Sequence, residues 1–190
     1  ARHAWEHAGH TVYGTALAGI AANRLQRDAD IPAVTITRFL RDLRERPDLL
    51  DARSVVVVDE AAMVGTRALA TIIDHANRSG SKLVLVGDAH QLPEIEAGGL
   101  FAALADQLGA VTLAENRRQE HDWERNALAQ LRDGDTDAAV AAYREHGAIV
   151  IPGPHSDPRA AAIAVWQTKL PDSPDTVIYT DRRAEARALN

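Results

Sequence analysis

The sequence contains no cysteine. Disulfides and thiolate-held metals are thereby excluded, and a reducing, cytoplasmic setting is the default expectation. No run of about eighteen apolar residues occurs, so no membrane span is expected. The first residues, "ARHAWEHAGHTVYG", lack the apolar core of a secretory signal. Basic residues are not in excess: 21 Lys and Arg stand against 27 Asp and Glu, a formal net charge of -6. A module built mainly to hold nucleic-acid phosphates is normally basic, so this balance counts against one, while leaving room for an enzyme with a local basic groove. There is no repeat of solenoid period and no low-complexity tract. What is present, 46% hydrophobic and 25% charged residues, is the balance of an ordinary soluble globular protein.

Along the chain, helical and strand patterns alternate. "ARHAWEHAG" reads as a helix stopped by Gly9, "HTVYGTAL" as a strand, and "AGIAANRLQRDAD" and "TITRFLRDLRER" as helices. Ser54 to Val58 is a continuous apolar, mostly β-branched run, the mark of a strand buried on both faces. "TRALATIIDHANRSG" is a helix with Gly80 as its stop, followed by a second buried strand, Lys82 to Val86. A helix "GGLFAALADQLG" and a short strand "AVTLAE" come next. Such alternation predicts a parallel sheet covered by helices on both faces. After Gln119 the texture changes to two helices broken at Gly134, a strand "AIVIP", a helix "RAAAIAVWQTKL" and a strand "TVIYT". Two domains are expected, 1–118 and 119–190, with the transition between 119 and 145. Both ends read as helices cut short, as in a piece of a longer protein.

Two strands end in acids. Val58 is followed by Asp59 and Glu60, and Val86 by Gly87, Asp88 and, three residues on, Gln91. In an open parallel sheet, ligands bind beyond the carboxyl ends of the strands. A nucleoside triphosphatase needs one carboxylate for Mg²⁺, a second to take a proton from the attacking water, and a neutral amide to sense the γ-phosphate. An apolar run ending in Asp-Glu is common by itself. Gly-Asp-x-x-Gln-Leu-Pro has no obvious packing role, and the two together on successive strands make coincidence a poor explanation. Arg117 and Arg118, just past the next predicted strand, can reach the same crevice and neutralise charge on a transferring phosphoryl group. The scattered histidines, among them His3, His7, His10 and His90, suggest no zinc site.

Asp59-Glu60-Ala61, Gly87-Asp88-x-x-Gln91-Leu92, Glu96-Ala97-Gly98 and Arg118-Gln119 resemble the motor motifs of superfamily-1 helicases of the RecD-like kind, and most closely the helicase part of conjugative relaxases of the MobF type. "VYGTALAGIAANRL" resembles that family's segment that contacts single-stranded DNA. The resemblance spans nearly the whole chain. It implies a RecA-like α/β fold in residues 1–118 and the helical connection and start of a second motor domain in 119–190. It implies ATP and Mg²⁺ as cofactors and single-stranded DNA, with the conjugation machinery, as partners. By position, Asp59 becomes the Mg²⁺ carboxylate, Glu60 the base, Gln91 the γ-phosphate sensor and Asp88 a support of the same loop. Arg118 becomes the arginine finger, with Arg117 second choice. Thr15 and Thr37 fall near the DNA path, although Thr37 in "TITRFL" can equally be a helix-start hydroxyl.

The chain departs from the family's pattern in places. No G-x-x-x-x-G-K-[ST] occurs, so the phosphate loop is expected before residue 1, the last motor motifs beyond Asn190, and no ATP turnover from these residues alone. Ile20 stands where relatives often carry a basic residue, and "DAHQ" replaces Asp-Pro-x-Gln. A second reading stays open: a vestigial helicase-like module that binds single-stranded DNA or a partner without hydrolysing ATP. A Rossmann or response-regulator module would leave Gln91 and Arg118 unexplained, and no G-x-G-x-x-G is present.

Overall fold

The run Ser54–Asp59 forms strand β3 of a computed structural model that describes residues 1–89, 99–113, 119–153 and 156–189. Its β-branched side chains suit a pleated surface covered on both sides, and all but its last residue are buried. On one side it pairs with β1 (Thr11–Ala16), on the other with β4 (Lys82–Leu85), and β2 (Ala33–Thr35) lies beyond β1. The order is β2-β1-β3-β4 and every pairing is parallel, with Ala16 opposite Asp59 and Leu85 opposite Val58. Parallel neighbours need crossover connections. These are α2 (Gly19–Ala29), α3 (Ile36–Glu45) and α4 (Thr66–Ser79), while α1 (Arg2–His7) precedes the sheet.

Side chains on a strand alternate between faces. Val55 and Val57 pack with Val12, Ile31 and Leu25, and with Trp5 of α1. Val56 and Val58 pack with Ile36, Phe39 and Leu43 of α3 and with Leu69 and Ile72 of α4. The sheet is therefore covered on both faces, as the alternation of patterns predicts. Lys82 lies 5.8 Å from the Trp5 ring centroid, so its cationic end rests on an aromatic face at the sheet's rim.

Local chemistry fixes the element ends. Thr35 is the N-cap of α3, its hydroxyl accepting the Arg38 N–H at 3.4 Å; the helix-start hydroxyl is thus Thr35, and Thr37 is exposed in the first turn. Gly80, at φ 69, closes α4 in the left-handed conformation that a Cβ disfavours. Before β3, the Asp51 carboxylate accepts the Ser54 hydroxyl at 2.7 Å and the Arg53 N–H at 3.0 Å. These bonds, the hydroxyl first, hold the carboxyl below the usual carboxylate range.

The structure corrects the pattern in both directions. The three-residue β2, not foreseen, follows Pro32 and extends the sheet past β1. Conversely, 110–113, 148–152 and 176–180 form no strand. Val111 is 93% and Tyr179 91% exposed. Strand composition does not suffice where no neighbouring strand supplies hydrogen bonds.

Compact units divide at 114/115. The first holds the sheet and α5 (Leu100–Leu108). In the second, α6 (Asp122–Arg132) and α7 (Thr136–Glu145) form a hairpin in which Trp123 meets Tyr143 edge-on and stacks on His146 at 4.0 Å. There too, α8 (Pro158–Lys169) anchors the 176–180 segment through a Trp166 Nε1–H bond to the Thr176 carbonyl (2.7 Å), and α9 spans Arg183–Leu189.

Candidate functional site

β3 delivers Asp59 to the carboxyl edge of the sheet, where its side chain is half-buried and Glu60 is exposed. Asp59 Oδ1 accepts the Glu60 N–H at 3.0 Å. Glu60 itself is left-handed, φ 52 and ψ 38. Three further bonds hold the turn: Ala61 N–H to the Val86 carbonyl at 2.8 Å, Met63 N–H to Glu60 carbonyl at 2.9 Å, and Val64 N–H to Ala61 carbonyl at 3.2 Å. Ala61 and Val64 are buried and tether the turn to the core under α4. The apolar anchors explain why a Glu accepts a conformation that normally favours Gly or Asn.

Left-handed backbone at a non-glycine residue carries a strain of order 1–3 kcal/mol and is retained where the surroundings over-determine it. Glu60→Gly should release most of that strain against a larger unfolded-state entropy. The expected result is a stability gain of about 0.5–1 kcal/mol, read as a higher urea midpoint; a lower midpoint would mean the turn is unstrained.

Among the described residues neither Asp59 nor Glu60 meets a cation. A carboxylate pair that no described cation meets suits a cation brought from outside. Mg²⁺ usually keeps several waters and takes one or two carboxylates plus phosphate oxygens. Asp59, a hard-oxygen donor on a fixed strand end, fits such a site. No group of three or more metal-capable side chains occurs among the described residues, so water and phosphate would complete the shell.

Pairing of β3 with β4 brings the second acidic motif to the adjacent strand end: Val86 extends the ladder through its N–H to the Val58 carbonyl (2.9 Å), and Asp88 follows, half-buried. Gln91, Arg117 and Arg118 lie outside the described residues. Thr15 does not occupy a surface open to DNA. It is fully buried in β1, opposite Val58 and Val34, because this strand is covered on both faces. The large apolar side chains exposed at that strand exit are Leu17 and Ile20, at 47% and 85%. Among the described residues the Thr15 hydroxyl has no hydrogen-bond partner. An unpaired buried hydroxyl is destabilising by about 1–3 kcal/mol. Thr15→Val, which keeps the shape, should therefore raise stability by about 1 kcal/mol in thermal or urea unfolding; a loss would reveal a hidden partner. Sequence reasoning took Gly87 only as the first residue of the Gly-Asp motif; its backbone approach to Ala61 and Ala62, 26 and 25 residues back in the chain, shows only in the fold.

A parallel sheet wrapped by helices, with carboxylates just past the ends of the adjacent strands β3 and β4, defines an α/β protein whose ligand edge is the carboxyl end of its sheet. Residues 1–152 match the AAA domain family, and the chain belongs to it. Over 190 residues it is 37% identical to the conjugal transfer protein TraA of Rhizobium radiobacter, covering all of this chain and 17% of that protein. It is 36% identical over 133 residues to the RecBCD enzyme subunit RecD of Mycolicibacterium smegmatis, covering 69% of this chain and 23% of RecD. The chain thus spans under a quarter of these relatives' length. Among solved structures, the Pif1 helicase of Candida albicans aligns with all of this chain and 60% of its own at 16% identity and a TM-score of 0.44. The superfamily-1, RecD-like resemblance of the motifs stands. No helix among the described residues is long and apolar enough to cross a membrane.

Proposed function

We propose that this chain is part of an ATP-dependent DNA helicase or translocase, the helicase part of a conjugative transfer relaxase. The observation that carries the reading is the Asp59–Glu60 pair, uncompensated by any described cation and fixed at the exit of the central strand. Bound Mg²⁺–ATP supplies the phosphoanhydride and a Lewis acid for its charge. Asp59 would hold the ion, and the Glu60 carboxylate would take the proton of the attacking water. Gln91 senses the γ-phosphate on the loop that Asp88 supports, and Arg118, or Arg117 beside it, neutralises charge on the transferring group. Thr37, exposed at the start of α3, is the remaining candidate near the DNA path. In this reading 1–118 is the first motor domain, and 119–190 is the connection and the beginning of the second. The protein works in the cytoplasm with the conjugation machinery.

The test is ATP hydrolysis and strand separation by the full-length protein, with and without single-stranded DNA. DNA-stimulated hydrolysis coupled to unwinding is expected. Binding of single-stranded DNA with no hydrolysis would overturn this reading in favour of a non-catalytic helicase-like module.

A further inference from the structure

We infer that Gly87 is a positioning residue for Glu60: lacking a side chain, it lets the end of the β4 backbone lie against the Ala61 and Ala62 amides and so holds the left-handed turn that presents the Glu60 carboxylate. Val86 is bonded twice across the sheet edge, its N–H to the Val58 carbonyl at 2.9 Å and its carbonyl to the Ala61 N–H at 2.8 Å. The β4 backbone therefore reaches past the last β3 pairing and grips the chain on the far side of Asp59 and Glu60. Gly87 follows at once. A Cβ there would lie 2.9 Å from the Ala62 nitrogen, 3.2 Å from the Ala61 nitrogen and 3.2 Å from Phe101 Cζ. Its φ is outside the left-handed region, so the demand for glycine is one of space. The ring of Phe101 can turn aside, whereas backbone nitrogens inside a bonded turn cannot.

Glu60 is held from both ends, by the Asp59 carboxylate on its N–H and by the grip on Ala61. A strained conformation persists only while such contacts over-determine it. Any side chain at 87 must part the strand end from the turn. Glu60 can then relax toward the right-handed or extended region, which carries its carboxylate away from the sheet edge.

The activity arm of the test rests on the hydrolytic reading above; the exchange arm does not. In the full-length protein, Gly87→Ala should lower kcat for ATP by about 10²-fold, the effect of a misplacement near 1 Å, with nucleotide affinity unchanged. Amide exchange at Ala61 should quicken while the β1 and β3 amides stay protected. Adding Phe101→Leu should restore neither, because the backbone contacts remain. Rescue by Phe101→Leu, or unaltered exchange at Ala61, overturns the inference. A wild-type protein without turnover overturns the hydrolytic reading, and exchange alone then decides on Gly87. Should Gly87→Ala not fold, the double variant Gly87→Ala/Glu60→Gly should regain a cooperative unfolding transition, because a glycine at 60 lets the turn yield to the new Cβ; a double variant that still does not fold overturns the link.

Discussion

Glu60→Gln in the full-length protein is expected to keep nucleotide affinity and to lose hydrolysis by roughly 10²–10⁴-fold, the usual contribution of a general base. The substitution removes the proton acceptor and leaves nearly everything else. Gln has the same length and the same discomfort at φ 52, so the turn and its bonds to Asp59 and Val86 are unchanged. Asp59 keeps its carboxylate, so a metal-bound nucleotide should bind as before. The readouts are single-turnover hydrolysis and nucleotide affinity, measured side by side with urea midpoint as a fold control. Turnover within about twofold of wild type would remove Glu60 from the reaction, since a base so placed should supply several kcal/mol of barrier. A parallel fall in affinity would instead assign the residue to binding.

What could be read from the sequence was the part that local patterns dictate. Five buried residues in a row at Ser54–Val58 leave little choice but a central strand, and a strand that ends in Asp-Glu must present them at the carboxyl edge. Gly80 marks its helix end because only a residue without Cβ sits comfortably at φ 69. What could not be read depends on partners distant in sequence. Three residues at 33–35 are too few for a period to emerge, and they become a strand because β1 lies beside them. Residues 110–113, 148–152 and 176–180 have the composition without the pairing. Thr15 looks like a polar strand residue at a useful place, but β1 is sandwiched and buries it. At the site, the carboxylates were legible and the backbone that aims them was not: nothing in "DEAAM" announces a left-handed Glu, and the strand that holds it is more than twenty residues away.

Leu69→Ala should produce the largest loss of stability, about 2–5 kcal/mol, against the roughly 5–15 kcal/mol that keeps a typical domain folded. Leu69 is fully buried on α4 and belongs to the cluster that joins Val56 and Val58 of the central strand to Phe39 and Leu43 of α3. Truncation there loses the transfer energy of the removed carbons and leaves a cavity that close-packed neighbours fill only in part. The urea midpoint should fall with little change in m-value. Val64, the buried anchor of the Glu60 turn, lies in the same cluster, so some loosening should reach the site. Its size separates two views of the molecule. If the turn is held chiefly by its own bonds to Asp59 and Val86, hydrolysis well below the melting temperature should fall far less in Leu69→Ala than in Glu60→Gln. Should the two variants lose hydrolysis equally, the core rather than the strand-edge bonds sets the position of the base. An unchanged midpoint would show that the α4 face is not the load that the sheet rests on.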